Sequence, residues 1–88
     1  MEIKNKRVVV TGAASGIGLA LCEEFHASGA QSIVCVDMNE DGAKEIAEKI
    51  NGIAVAADVS NEQDIINVIE KANKYSGGID IFCSNAGI

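Results

Sequence analysis

Two rhythms of apolar residues alternate along this chain. Arg7-Val8-Val9-Val10-Thr11 is an unbroken β-branched run closed by Gly12, which predicts a strand buried on both faces. Beyond it Ile17, Leu21 and Phe25 recur at helical spacing, with Glu23 and Glu24 off that line and Gly29 as a stop signal. Ser32 to Asp37 repeats the strand pattern. Ala43, Ile46, Ala47 and Ile50 then form an i, i+3, i+4, i+7 stripe that ends at Asn51-Gly52. A third strand is expected over Ile53 to Ala57. Ser60 precedes Gln63 by three residues in a capping-box arrangement, and Ile65, Val68, Ile69 and Ala72 predict the apolar face of a third helix ended by Gly77-Gly78. Ile79 to Ser84 is the fourth expected strand.

Four strands alternating with three helices are the pattern of successive right-handed βαβ units, so the fold class is α/β with a doubly wound parallel sheet. In the usual order of such sheets, 3-2-1-4, the first and fourth strands are neighbours whose connections leave toward opposite faces. A crevice opens beyond their C-terminal ends. Gly12 and Asn85 are expected to border it.

Composition narrows the function classes. With 88 residues, 48% hydrophobic and 23% charged, the chain is globular rather than disordered, and residues 1–88 are expected to make one domain. The net charge of -6 disfavours phosphate backbones and anionic lipid, so neither nucleic acid nor a membrane is an expected partner. Cys22, Cys35 and Cys83 are odd in number and widely spaced, which fits neither a disulfide framework nor a CxxC metal site. Met1-Glu2-Ile3-Lys4-Asn5-Lys6-Arg7 lacks a signal-peptide apolar region, and the cytoplasm is the expected setting. His26 has no second ligand spaced to meet it and reads as a surface residue.

The chemistry concentrates at strand ends. Thr11-Gly12-Ala13-Ala14-Ser15-Gly16-Ile17-Gly18 lies between a strand and a helix, where free amides and the helix dipole favour an anion. Gly12 permits the tight turn, Gly16 removes a side chain where a pyrophosphate approaches, and Gly18 lets the helix pack closely. The spacing is GxxxGxG, unlike GxGxxG, and it lacks the Gly-Lys-Ser/Thr ending of a P-loop. Three glycines serving turns alone are the plain alternative. Asp37 ends the second strand 19 positions beyond Gly18, where a carboxylate accepts hydrogen bonds from both hydroxyls of an adenosine ribose. A 2'-phosphate would meet that anion with no nearby Lys or Arg to relieve it.

Thr-Gly-x-x-x-Gly-Ile-Gly near the N-terminus resembles the glycine motif of the short-chain dehydrogenase/reductase family. Asp80-Ile81-Phe82-Cys83-Ser84-Asn85-Ala86-Gly87 resembles the family's Asp-x-x-x-x-Asn-Ala-Gly segment on the fourth strand. Ser84 departs from the frequent Asn-Asn-Ala-Gly form, which touches a supporting hydrogen bond only. The resemblance implies a Rossmann-like domain and an NAD-dependent interconversion of alcohol and carbonyl. It implies that Ser15, Ile17 and Met38 flank the cofactor with Gly12, Gly16, Gly18 and Asp37. NADP-preferring relatives often carry a basic residue where Ser15 and Met38 stand, so NAD is expected over NADP. It further implies that Asp58 contacts the adenine amino group, that Val59 lines the ring pocket, and that Asn85, Ala86 and Gly87 lie at the cofactor ribose.

The family's catalytic serine and Tyr-x-x-x-Lys motif fall later than the residues given, and Tyr75 is followed four positions on by Ile79, not lysine. No catalytic residue is therefore assigned, and the chain reads as a truncated N-terminal NAD-binding half, inactive alone. Its fourth strand is then an exposed edge, through which a homo-oligomer is expected. Two other readings stay open: a non-catalytic module for a dinucleotide or adenine ligand, and a methyltransferase using S-adenosylmethionine. The Asn-Ala-Gly turn and the Thr-Gly start argue against the last.

Overall fold

The computed structural model of the protein describes residues 3–84. Four strands, β1 (Arg7–Thr11), β2 (Ser32–Asp37), β3 (Ile53–Ala56) and β4 (Ile81–Cys83), alternate with three helices, α1 (Gly16–Ala27), α2 (Glu40–Ile50) and α3 (Glu62–Ser76). The strands form one parallel sheet in the order β3-β2-β1-β4, as the alternation predicts. Val10 of β1 pairs with Cys35 of β2 on one side and with Cys83 of β4 on the other.

Successive residues of a strand point to opposite faces. The unbroken valine runs therefore feed two cores at once. Val8, Val10, Ile33 and Cys35 pack with Cys22 and Phe25 of α1 and with Ile46, Ala47 and Ile50 of α2. Val9, Val34, Val36 and Val55 pack with Val68 and Ala72 of α3 on the other face. Because every pair is parallel, all the strand C-termini lie at one rim of the sheet, where β1 hands over to α1.

The α2 stripe is buried at all four expected positions, but two other details differ from the sequence reading. In α1 the buried line is Gly18, Cys22 and Phe25, and Ile17 is 64% exposed. The helix makes its closest approach at a glycine, which carries no hydrophobic signal, and this rotates the face by one residue. In α3 only Val68 and Ala72 are buried; Ile66 and Ile69 stay exposed, so the helix meets the sheet along a narrow line.

The start of α3 is also built differently from the expected Ser60–Gln63 box. Asn61 is the cap, accepting from the Asp64 amide at 3.1 Å. The Ser60 hydroxyl instead donates to Asp58 Oδ1 at 2.6 Å. The Ser60 hydroxyl is oriented by the ionised carboxylate, a strong acceptor, and asparagine caps as well as serine. The third and fourth strands end or begin one to two residues inside the expected limits.

At the opposite rim Arg7 and Asp80 tie β4 to β1. The guanidinium donates to both carboxylate oxygens, at 2.9 and 3.0 Å, and the Arg7 amide adds a third bond at 2.9 Å. Arg7 Nη1 also reaches the Gly77 carbonyl that closes α3. The Arg7 side chain and amide hold the Asp80 carboxyl well below its ordinary value of 3.8. A carboxyl depressed on folding stabilises the fold above its unfolded pKa, and this contribution fades as pH falls through the folded value. The stability gap between the wild type and Asp80→Asn is expected to be constant near neutrality and to close below about pH 4. Urea titrations at stepped pH read the gap directly; a gap that persists or widens in acid would contradict this role.

Candidate nucleotide site

The bend after β1 is stitched together by its own short side chains. Gly12 adopts the left-handed region, φ 65°. Ser15 caps α1: its hydroxyl donates to the Gly12 carbonyl at 2.7 Å and accepts from the Gly18 amide at 3.1 Å. The Ser15 amide donates to the same carbonyl at 3.0 Å. A Cβ built on Gly18 would overlap the Gly12 carbonyl and stand 2.9 Å from Ala13 Cα, whereas one on Gly16 would meet nothing within 4 Å. The two glycines thus have different reasons: one permits contact with the turn, the other borders open space.

The loop amides do not all face outward, as the sequence reading expected. Ala13 N–H donates to the Val36 carbonyl and Ala14 N–H to Asp37 Oδ2, both at 2.9 Å. An α-helix leaves its first amides without intrahelical partners, and the Gly18 amide is already taken by Ser15. The donors for an anion therefore narrow to the start of α1, at Gly16 and Ile17, where the helix dipole adds to them.

Asp37 sits where β2 runs out, and its second oxygen accepts from the Asn39 amide at 2.9 Å. Gly12, Asp37, Met38, Ala57 and Val59 line one cleft of about 100 Å³. Its floor is apolar and Asp37 supplies the charge at its edge. Met38, 72% exposed, forms part of the mouth. Ala57 belongs to this lining and was missed from sequence. Alanine carries no chemical signal, and only its place just past β3, where its amide donates to the Asp37 carbonyl, marks it.

Asp58 does not line that cleft. Ser60 binds its Oδ1 through both hydroxyl and amide, and these bonds lower the Asp58 pKa. The Asp58 amide donates to Asp64 Oδ2 at 2.9 Å, which fixes the corner between β3 and α3. Ser15, Gly16, Ile17 and Gly18 sit in the turn and first helical residues next to the cleft's Gly12. Asn85, Ala86 and Gly87 lie outside the described residues. On the other side of the bend, the buried Thr11 hydroxyl donates to the Cys83 carbonyl at 3.3 Å, binding the end of β1 to the end of the edge strand β4.

The three cysteines are free and share the core beneath α1 and α2. The Cys22 and Cys35 sulfurs lie 3.9 Å apart, and that contact together with burial pushes the Cys35 thiol up. Burial likewise raises Cys83. They act as small apolar residues here. His26 is exposed on α1. Among the described residues no cluster of three or more His, Cys, Asp or Glu side chains could hold a metal ion, and no helix is long and apolar enough to cross a membrane.

Known proteins share this architecture. An uncharacterised oxidoreductase of Bacillus subtilis (strain 168), YuxG, is 42% identical over 94 residues, covering 99% of this chain and 14% of its own length. Tropinone reductase-like 1 of Erythroxylum coca is 39% identical over 89 residues, covering 99% of this chain and 32% of that protein. The crystal structure of 3-ketoacyl-(acyl-carrier-protein) reductase from Brucella melitensis, complexed with NADH, superposes with a TM-score of 0.86 at 36% identity, over 91% of this chain and 34% of that one. The chain thus spans about a third or less of the length of these relatives. The family model for short chain dehydrogenase matches residues 6–88, and with the sheet order and the turn after β1 in agreement, the chain belongs to the short-chain dehydrogenase family of oxidoreductases.

Proposed function

We propose that this chain provides the NAD-binding part of an oxidoreductase that interconverts an alcohol and a carbonyl. The observation that carries the reading is the state of Asp37. A carboxylate offers about four acceptor sites. The Ala14 and Asn39 amides use two of them, which leaves two for the paired hydroxyls of a ribose. The adjoining cleft, lined by Gly12, Met38, Ala57 and Val59, suits an adenine ring, and the start of α1 suits the diphosphate. The nicotinamide, when bound, supplies the hydride acceptor or donor.

Each residue has a stated part. Gly16 and Ile17 present amides to the diphosphate, Gly12, Ser15 and Gly18 hold the turn, and Asp37 binds the ribose. Met38 and Val59 flank the adenine, while Asp58, which does not line the cleft, keeps its adenine-amino role from the family resemblance alone, with one oxygen not held by Ser60. Asn85, Ala86 and Gly87 contribute at the cofactor ribose by family resemblance. No residue among 1–88 is assigned to catalysis, and turnover by this chain alone is not expected.

NAD is preferred because a 2'-phosphate would face the Asp37 anion; two unit charges about 4 Å apart repel by about 4 kcal/mol at an effective dielectric near 20. Calorimetry with NAD, NADP and S-adenosylmethionine tests the reading. NAD is expected to bind at least about tenfold tighter than NADP, a gap of about 1.4 kcal/mol. Equal affinities would remove the role given to Asp37, and a clear win for S-adenosylmethionine would replace the oxidoreductase reading altogether. NAD binding by an otherwise inert full-length protein would favour the non-catalytic alternative.

The free cysteines accord with a reducing compartment, and the cytoplasm is the proposed setting. Self-association is proposed through β4, which pairs with β1 on one side and carries the 38% exposed Phe82. Light scattering over a concentration series is expected to show mass rising with concentration. A constant monomer mass would end that proposal.

A further inference from the structure

We infer that Asp37 is a positioning residue for the diphosphate turn as well as a ribose ligand, so that one carboxylate couples nucleotide specificity to the shape of the phosphate site. The inference deepens the nucleotide reading above and rests on it for its ligand. Its basis is a continuous set of contacts between three elements. Asp37 Oδ2 accepts from Ala14 N–H in the glycine turn, and Oδ1 accepts from Asn39 N–H at the head of α2. Asn39 in turn caps α2 through its side chain, accepting from the Gly42 amide at 3.1 Å. A Cβ built on Gly42 would stand 2.8 Å from Ala14 Cβ, so α2 and the turn already touch where the carboxylate joins them. Hydrogen bonds to an ionised acceptor are the stronger kind, and no other side chain holds the Ala14 amide among the described residues.

Without that carboxylate the Ala14 amide loses its acceptor and the segment leading into Gly16 and Ile17 is free to shift. Replacing Asp37 to admit NADP would then cost affinity for every nucleotide that carries a diphosphate. A probe lacking both ribose hydroxyls separates the two roles: 2',3'-dideoxyadenosine 5'-diphosphate cannot use Asp37 as a ribose ligand. Its affinity is expected to fall about tenfold or more in Asp37→Ala, a loss of about 1.4 kcal/mol. In the ligand-free protein, hydrogen exchange at the Ala14 and Asn39 amides is expected to accelerate at least about tenfold, while Val68 and Ala72 in α3 keep their protection. Asp37→Asn, which preserves volume but can accept at one position only, is expected to deprotect one of the two amides and serves if the alanine variant is unstable. Unchanged exchange at Ala14 in both variants, or unchanged affinity for the dideoxy probe, would overturn the positioning role. If the wild type binds no nucleotide the function reading fails, yet exchange at Ala14 still decides this inference.

Discussion

Replacing Gly18 with valine is expected to abolish nucleotide binding and to destabilise the fold by about 3 kcal/mol or more. The cause is local. Any Cβ at this position enters the Gly12 carbonyl, which also accepts from the Ser15 hydroxyl and amide, so the whole turn must move to make room. The Gly18 amide would lose its Ser15 acceptor in the process, and the buried line Gly18, Cys22 and Phe25 would lift away from β1 and β2. Gly16→Ala is the matched control. Its Cβ meets nothing within 4 Å, and alanine loses less chain entropy on folding than glycine, by about 0.4 to 1 kcal/mol, so stability should hold or rise. Binding should still weaken, because on the proposed reading the added methyl occupies the side from which the diphosphate approaches. Urea unfolding and NAD calorimetry on both variants measure the contrast. A Gly18→Val protein of wild-type stability would mean that the turn does not abut the helix as described.

The two glycines show what could be read from sequence and what could not. Their spacing marked the turn between β1 and α1, and the valine runs, Ala43 to Ile50, and the glycine and asparagine stops placed every element in the right order. Those signals are strong because burial on both sheet faces leaves no polar position between Arg7 and Thr11 in β1 or between Ser32 and Asp37 in β2. The errors lie where a residue acts through its backbone or by being small. Gly18 set the face of α1, so Ile17 looked buried and is not, although Phe25 of the same line is. Ser60 was read as a cap because cap residues are interchangeable in composition, and only the position of the Asp58 carboxylate decides between it and Asn61. Ala57 carries no chemistry, yet it lines the cleft. Asp37 was legible as an acceptor at a strand end, but its two bonds to backbone amides depend on the path of the turn and of α2, which no local pattern encodes.

Val34→Asp is expected to leave the chain unfolded at neutral pH. Val34 is 0% exposed in β2, paired with Val9 of β1 and Ile53 of β3, and covered by α3 through Val68 and Ala72. Aspartate is no larger than valine, so overpacking contributes nothing to the effect. At 0.05 to 0.15 kcal/mol per residue a chain of this length has about 4 to 13 kcal/mol of stability. Burying an unpaired carboxylate costs several kcal/mol, and the lost valine burial adds about 1.5 to 3 kcal/mol, so the sum takes most or all of that margin. Neutralising the group is the cheaper response, which raises its pKa in the folded state. A group raised on folding destabilises progressively as pH climbs past its unfolded value near 3.9, so the variant should recover structure on acidification relative to pH 7. Val34→Thr carries a hydroxyl without the charge and should cost only about 1 to 3 kcal/mol, independent of pH. Circular dichroism of the three proteins between pH 4 and pH 8 separates these outcomes. A folded Val34→Asp protein at pH 7 would show that water reaches β2 from one face, and the two-sided sheet on which the rim geometry of Gly12 and Asp37 depends would have to be redrawn.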